Sequence, residues 1–116
     1  MPSNRRPLDP WDSFLEDLDS AMSSSVRLDC IGGFVVTQFY GLERSTSDMD
    51  VIELAPREAA DTIMTLAMRG GSLARKHLVC IDRVGVAIVP VNYEERLIEM
   101  FPGAYRHLCL MALDPL

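Results

Sequence analysis

Apolar side chains at Trp11, Phe14, Leu15, Leu18 and Met22 recur at helical spacing, with Asp9 or Asp12 placed to cap the start and Ser23-Ser24-Ser25 to end the run. Val26 to Ile31 reads as a short strand that stops at Gly32-Gly33. Phe34, Val35, Val36, Phe39 and Tyr40 then suit a buried helix, with Gly41 as its C-cap and Glu43 to Ser47 as a loop. Asp48 to Leu54 follows the alternation of a strand, and Ala55 to Arg69 turns helical, with Pro56 in its first turn and Gly70-Gly71 past its end. Leu73 to His77 extends that helix after a break.

Further on, Leu78 to Ile81 and Val84 to Val91 read as two strands joined in a hairpin at Asp82-Arg83. Tyr93 to Phe101 reads as a short helix ended by Pro102-Gly103, and His107 to Leu113 as a last strand. This order predicts an α/β (α+β) chain: a mixed β-sheet with flanking helices over residues 10–116, preceded by a flexible arm over 1–9.

Composition narrows the class. A chain of 116 residues, 48% hydrophobic and 24% charged, fits one soluble domain and has no room for a second core. Its formal charge is -6, and the cations are ten arginines and Lys76. With no basic stripe, a broad nonspecific grip on nucleic-acid phosphates is not expected, while a local cationic site stays open. Cys30, Cys80 and Cys109 each sit in an apolar run without metal-ligand spacing, so they read as buried thiols of a reducing compartment. His77 and His107 are isolated and read as surface or strand-edge residues. Neither an apolar leader nor a stretch of about 20 apolar residues occurs, which predicts a cytoplasmic protein.

The chemistry concentrates between Ile31 and Val51. Asp48 and Asp50 stand two apart on a predicted strand, so both carboxylates leave the same face and can share one divalent ion. Gly32 and Gly33 open a helix whose backbone N–H groups can meet a phosphate. Arg44, Thr46 and Ser47 precede the acids and could add donors to it. Each feature also has a plainer reading: a solvated strand start for the aspartates, a tight turn for the glycines, loop residues for Arg44 and Thr46. Trp11, with Phe14 and Leu18, reads as a helix face on the sheet, its distance from this motif leaving a docking role open.

The glycine pair, helix and Asp-x-Asp strand together resemble the nucleotidyltransferase superfamily, the polymerase-beta-like fold. Ile31-Gly32-Gly33-Phe34, Arg44-Ser45-Thr46-Ser47-Asp48-Met49-Asp50, Tyr93-Glu94-Glu95-Arg96-Leu97 and Leu113-Asp114-Pro115 are similar to an uncharacterised nucleotidyltransferase-like branch often associated with bacterial toxin-antitoxin systems. The resemblance spans residues 28–116. It implies transfer of a nucleotidyl group from a nucleoside triphosphate to RNA or protein, with Mg²⁺ or Mn²⁺ on Asp48 and Asp50 as the catalytic and metal-binding pair. It assigns nucleotide binding to Gly32, Gly33, Arg44, Thr46 and Ser47, and implies a cognate toxin or antitoxin partner. The Tyr93 block supports the resemblance but reads locally as a helix start with Tyr93 and Leu97 packed together.

Two departures stand against the pattern. Active members carry a third carboxylate on a neighbouring strand, and Gly85 to Val91 has no acid, leaving Asp82 and Glu94 at its ends. The family also continues past Leu-Asp-Pro into helices that complete the nucleotide pocket, so a short form, a truncated chain or borrowed helices are the expected options. The alternatives are a catalytically inactive binding or regulatory module, and an interaction fragment pairing through Leu108 to Leu113 as an exposed edge strand.

Overall fold

The amphipathic stripe near the start of the chain forms α1 (Trp11–Ala21), which buries Trp11, Phe14, Leu15 and Leu18. In this computed structural model, which describes residues 6–39, 46–84 and 92–113, Asp9 takes the capping role. Its Oδ1 accepts the Ser13 N–H at 2.9 Å and the Ser13 hydroxyl at 2.8 Å, satisfying a donor that the first helical turn leaves open. The described part of the expected arm is tied to the body. Arg6 donates to Asp12 and Glu16 and to the Ala104 carbonyl, and the Leu8 N–H donates to Gln38 Oε1.

Five strands form one mixed sheet: β1 (Val26–Ile31), β2 (Asp48–Ala55), β3 (Cys80–Arg83), β4 (Leu97–Met100) and β5 (Leu108–Leu113), ordered β3-β2-β1-β5-β4. β1 is antiparallel to β2 and parallel to β5, and β2 is parallel to β3. A parallel pair needs a crossover, which α2 (Arg57–Leu66) and α3 (Ser72–His77) supply. Val26, Leu28, Cys30, Met49, Val51, Ile81, Leu110 and Ala112 share a core with α1 and with Ala59, Ala60 and Ile63 of α2. The fold class is therefore α+β, with helices packed on a mixed sheet.

Opposite the junction of Asp29 and Cys30 the register of β2 slips, so that Asp29 faces Glu53, Cys30 faces Val51 and Ile52 is left over. This bulge explains why the apolar alternation of β2 breaks at Val51-Ile52, and it returns Glu53 to the face that carries Asp50.

Three expectations need correction. Asp82-Arg83 is not a hairpin turn, because β3 runs straight through it beside β2, with Asp82 opposite Asp50 and Arg83 opposite Val51. The second strand expected there falls largely on residues 85–91, outside the described residues. Tyr93 to Phe101 is not one helix: a single 3-10 turn, Tyr93–Arg96, leads into β4, which pairs antiparallel with β5. Ladder pairing overrides the local helical preference of this acidic segment, so Leu97 lies in a strand rather than one helical turn above Tyr93. Finally, β5 is no edge, since β1 and β4 flank it, and pairing of copies through Leu108 to Leu113 is ruled out.

His77 also departs from its expected surface position. It lies in α3, largely enclosed, with Nε2 2.7 Å from Asp17 Oδ2 and its ring edge-on to Phe14. His107 is half-buried just before β5, held through its backbone. Of the three thiols, Cys30 and Cys80 are buried and Cys109 is half-buried. No helix among the described residues is long and apolar enough to cross a membrane.

Candidate functional site

Asp48 and Asp50 leave β2 on the face opposite the core residues Met49 and Val51. Parallel register sets Cys80 beside Asp48 and Asp82 beside Asp50. An acid on the neighbouring strand, which the Gly85 to Val91 segment does not supply, is thus present one strand position earlier as Asp82. Of the two acids that the sequence leaves at the ends of that segment, Asp82 and Glu94, it is Asp82 that the register of β3 sets opposite Asp50.

Asp50 is the electrostatic centre of this group. Burial, and then the nearby Asp82 and Asp48 charges, raise its carboxyl above the ordinary aspartate value. It takes no hydrogen bond and no ion pair from the described residues. Asp48 is better supplied: the Cys80 thiol donates to its Oδ1 at 3.2 Å, and Arg69 lies 3.7 Å from the same oxygen. Burial and that Asp48 contact push the Cys80 thiol up to about 11.

Both glycines approach the acids. Gly32 has φ +79, and a Cβ built on it would stand 2.9 Å from Asp50 Oδ2. At Gly33 a Cβ would come within 3.3 Å of Thr46 Oγ1. At Gly32, where the positive φ also favours glycine, a Cβ would force the Asp50 carboxylate to shift, whereas at Gly33 Thr46 would have to give by only a few tenths of an ångström. Helical backbone follows from Gly33 and widens to a π-helical turn over Val35–Phe39, with Val36 N–H donating to the Gly32 carbonyl and the Thr37 hydroxyl to that of Gly33.

Thr46 anchors the segment before the acids. Its hydroxyl donates to the Asp48 carbonyl at 3.0 Å, and its own carbonyl accepts the Trp11 indole N–H at 3.2 Å. Ser47 is exposed and uses its carbonyl to hold the Cys80 N–H. Of the residues singled out from the sequence, Gly32, Gly33, Thr46, Ser47, Asp48 and Asp50 are therefore neighbours, and Arg44 lies outside the described residues.

Two features escaped the sequence reading. Trp11, far from the motif along the chain, is adjacent to it in space; its long separation from Thr46 gave no local signal. Asp29 is fully buried, clamped by Arg27 Nε and Nη2 at 2.8 and 3.0 Å and by the Tyr93 hydroxyl at 2.9 Å. Opposite charges at Arg27 and Asp29, two apart on one strand, were the available signal. Burial and the Asp29 bond push the Tyr93 phenol up to about 12, so it stays a neutral donor at physiological pH.

Oxygen donors of this kind suit a hard divalent cation. Among the described residues no three His, Cys, Asp or Glu side chains gather into a metal cage. An open set still matches Mg²⁺, which keeps several waters and takes the rest of its shell from one or two carboxylates and substrate phosphates. Comparisons of the chain with family models, curated proteins and solved structures find no match.

Proposed function

We propose that this chain is a metal-dependent nucleotidyltransferase of the polymerase-beta-like type, and that Asp48 and Asp50 are its catalytic, metal-holding pair. The observation that carries the reading is the approach of Gly32 to within Cβ contact of the Asp50 carboxylate, which sets a glycine turn directly beside an acid that no cation among the described residues pairs. Acids beside a phosphate turn repel a triphosphate unless a cation joins them. Mg²⁺ or Mn²⁺, when bound, neutralises the triphosphate and lowers the pKa of the attacking hydroxyl.

In the reaction, the hydroxyl oxygen of the acceptor forms a bond to the α-phosphorus of the nucleoside triphosphate. The bond from that phosphorus to the bridging oxygen breaks, pyrophosphate leaves with the electron pair, and the hydroxyl proton is released to solvent. Gly32 and Gly33 would position the phosphates, with Thr46 and Ser47 beside them and Arg44 as a further donor. Asp82 would add to the negative field at Asp50 that favours a cation there. RNA and protein hydroxyls are both acceptors of this class, and a toxin-antitoxin setting follows from the motif resemblance.

Calorimetric titration of the chain with each nucleoside triphosphate, with Mg²⁺ and then with EDTA, tests this reading. Binding that requires Mg²⁺ is expected. The double substitution of Asp48 and Asp50 by Asn should abolish it while the protein stays folded by circular dichroism; unchanged binding would remove both residues from the mechanism.

A second reading, a catalytically inactive binding module, draws on one feature: Asp48 Oδ1 is already engaged by Cys80 and Arg69. It predicts that triphosphate binds without Mg²⁺ or not at all.

A further inference from the structure

We infer that the cavity on the β3 side of Asp48 holds a second nucleotide unit, the acceptor, an inference that rests on the nucleotidyl-transfer reading. The cavity measures about 270 Å³ and is lined by Ser47, Asp48, Arg69, Arg75, Leu78 and Val79. That is at the small end of ligand sites, typically about 300–1,000 Å³, so it holds one nucleotide-sized fragment rather than a strand.

Its position relative to the donor turn comes first. Gly32 and Gly33 approach Asp50 and Thr46 from the β1 side, whereas the cavity opens on the other side, toward Cys80 and α3. Asp48 lines the cavity, and Asp50, two residues along the same face of β2, lies against the glycine turn. A triphosphate on the glycine turn and a second ligand in the cavity therefore meet at the carboxylates, the arrangement that in-line transfer needs.

Charge is the second argument. In a protein of net charge -6, two arginines face this cavity. The Arg75 guanidinium has no hydrogen bond or ion pair among the described residues, although the side chains of its neighbours Lys76 and His77 are both held by Asp17. Arg69 is 80% exposed and reaches Asp48 only at 3.7 Å, a weak and solvent-screened pair. Among the described residues the Arg75 guanidinium is open to a phosphate in the forked geometry that favours arginine, and Arg69 can turn to it by giving up only its weak pair with Asp48.

The third argument is Leu78. It is 82% exposed, more than any other large apolar residue described, and its backbone lies in the left-handed region at φ 61. That backbone is the C-cap of α3, its N–H donating to the Ala74 carbonyl, and it is the exposure of the side chain beside the cavity that the cap leaves unexplained. With Val79, Leu78 forms an apolar wall beside the arginines, the surface a ribose or base needs next to its phosphate. A bare phosphate would have no use for that wall.

Two other cavities among the described residues lack this combination. Near Asp19 the carboxylate is consumed by backbone N–H groups, and near Arg57 the facing Arg83 is opposed by Glu53.

Titration of the full chain with adenosine 5′-monophosphate, and separately with a four-nucleotide RNA bearing a free 3′ hydroxyl, tests the assignment. Arg75→Ala and Leu78→Ser should each weaken binding of the probe at least fivefold, while Arg57→Ala, remote from the cavity, leaves it unchanged. Mg²⁺-dependent triphosphate binding should survive in all three. Tighter binding of the RNA identifies a strand end as the source of the nucleotide, and equal binding a free mononucleotide. Probe binding that is absent at millimolar concentration, or insensitive to both substitutions, overturns the cavity assignment even if triphosphate binds. Absent triphosphate binding with arginine-sensitive probe binding overturns the transfer reading and leaves the cavity as a nucleotide site.

Discussion

Gly32 separates two roles that a glycine can have. It needs a positive φ, and it also needs the absence of a Cβ so that Asp50 can lie against it. Gly103 has the same φ of +79 with nothing near its missing side chain. Gly32→Ala and Gly103→Ala should therefore lose similar stability, about 1–2 kcal/mol from the left-handed backbone, read as a fall in urea midpoint. Only Gly32→Ala should also displace Asp50 and weaken Mg²⁺-dependent triphosphate binding, by tenfold or more in calorimetry. Equal binding losses in the two variants would mean that the close approach at Gly32 has no role in the site.

At the scale of elements, α1 is the clamp that ties the ends of the domain together. Asp19 accepts three backbone N–H groups, from Arg106, His107 and Leu108, at 3.0, 2.6 and 3.0 Å, and so fixes where β5 begins. Asp19→Ala should cost about 2–3 kcal/mol, since it orphans part-buried donors. Asp19→Asn should cost less, because one oxygen can still serve His107 and Leu108. Asp17 joins α1 to α3 through Lys76 and then His77, and these two partners hold its carboxyl below the ordinary aspartate value. A depressed carboxyl contributes stability above its unfolded pKa and loses it as pH falls through the folded value. Asp17→Asn should thus destabilise by up to about 1 kcal/mol near pH 7, given the exposure of the pair, and the difference from wild type should close as pH falls below the ordinary aspartate value and through the lowered folded one in urea titrations. A difference independent of pH would assign the effect to packing. Elements built from local periodicity, such as α1, β1, β2 and β5, were legible in the sequence. The extension of β3 through Asp82 and the pairing of β4 with β5 were not, because both depend on partners distant in the chain. Asp82-Arg83 carries turn-prone polarity that only its alignment with Asp50 and Val51 outweighs.

For the molecule as a whole, the helices seal one side of the sheet and leave the acids on the other, so the site is assembled from three separate stretches: the glycine turn, the start of β2 and the α2–α3 turn with β3. The first two could be read from residue order alone, since Gly32, Gly33, Asp48 and Asp50 mark a tight turn and an acid pair. The third could not, because Arg69, Arg75 and Leu78 form no motif and meet Asp48 only after the crossover packs. Trp11 links these stretches to the core. It packs edge-on against Phe14 and against Phe34, the residue after the glycine pair, and donates its indole N–H to Thr46. As the only tryptophan in the chain, it is a built-in optical reporter with one foot in the interior and one on the candidate site. Its emission should shift when Mg²⁺ and triphosphate engage the Thr46 segment, and that shift should vanish in the Asp48 and Asp50 double variant while the separate red shift on unfolding persists. A single fluorophore would then distinguish loss of ligand from loss of fold without any label being added.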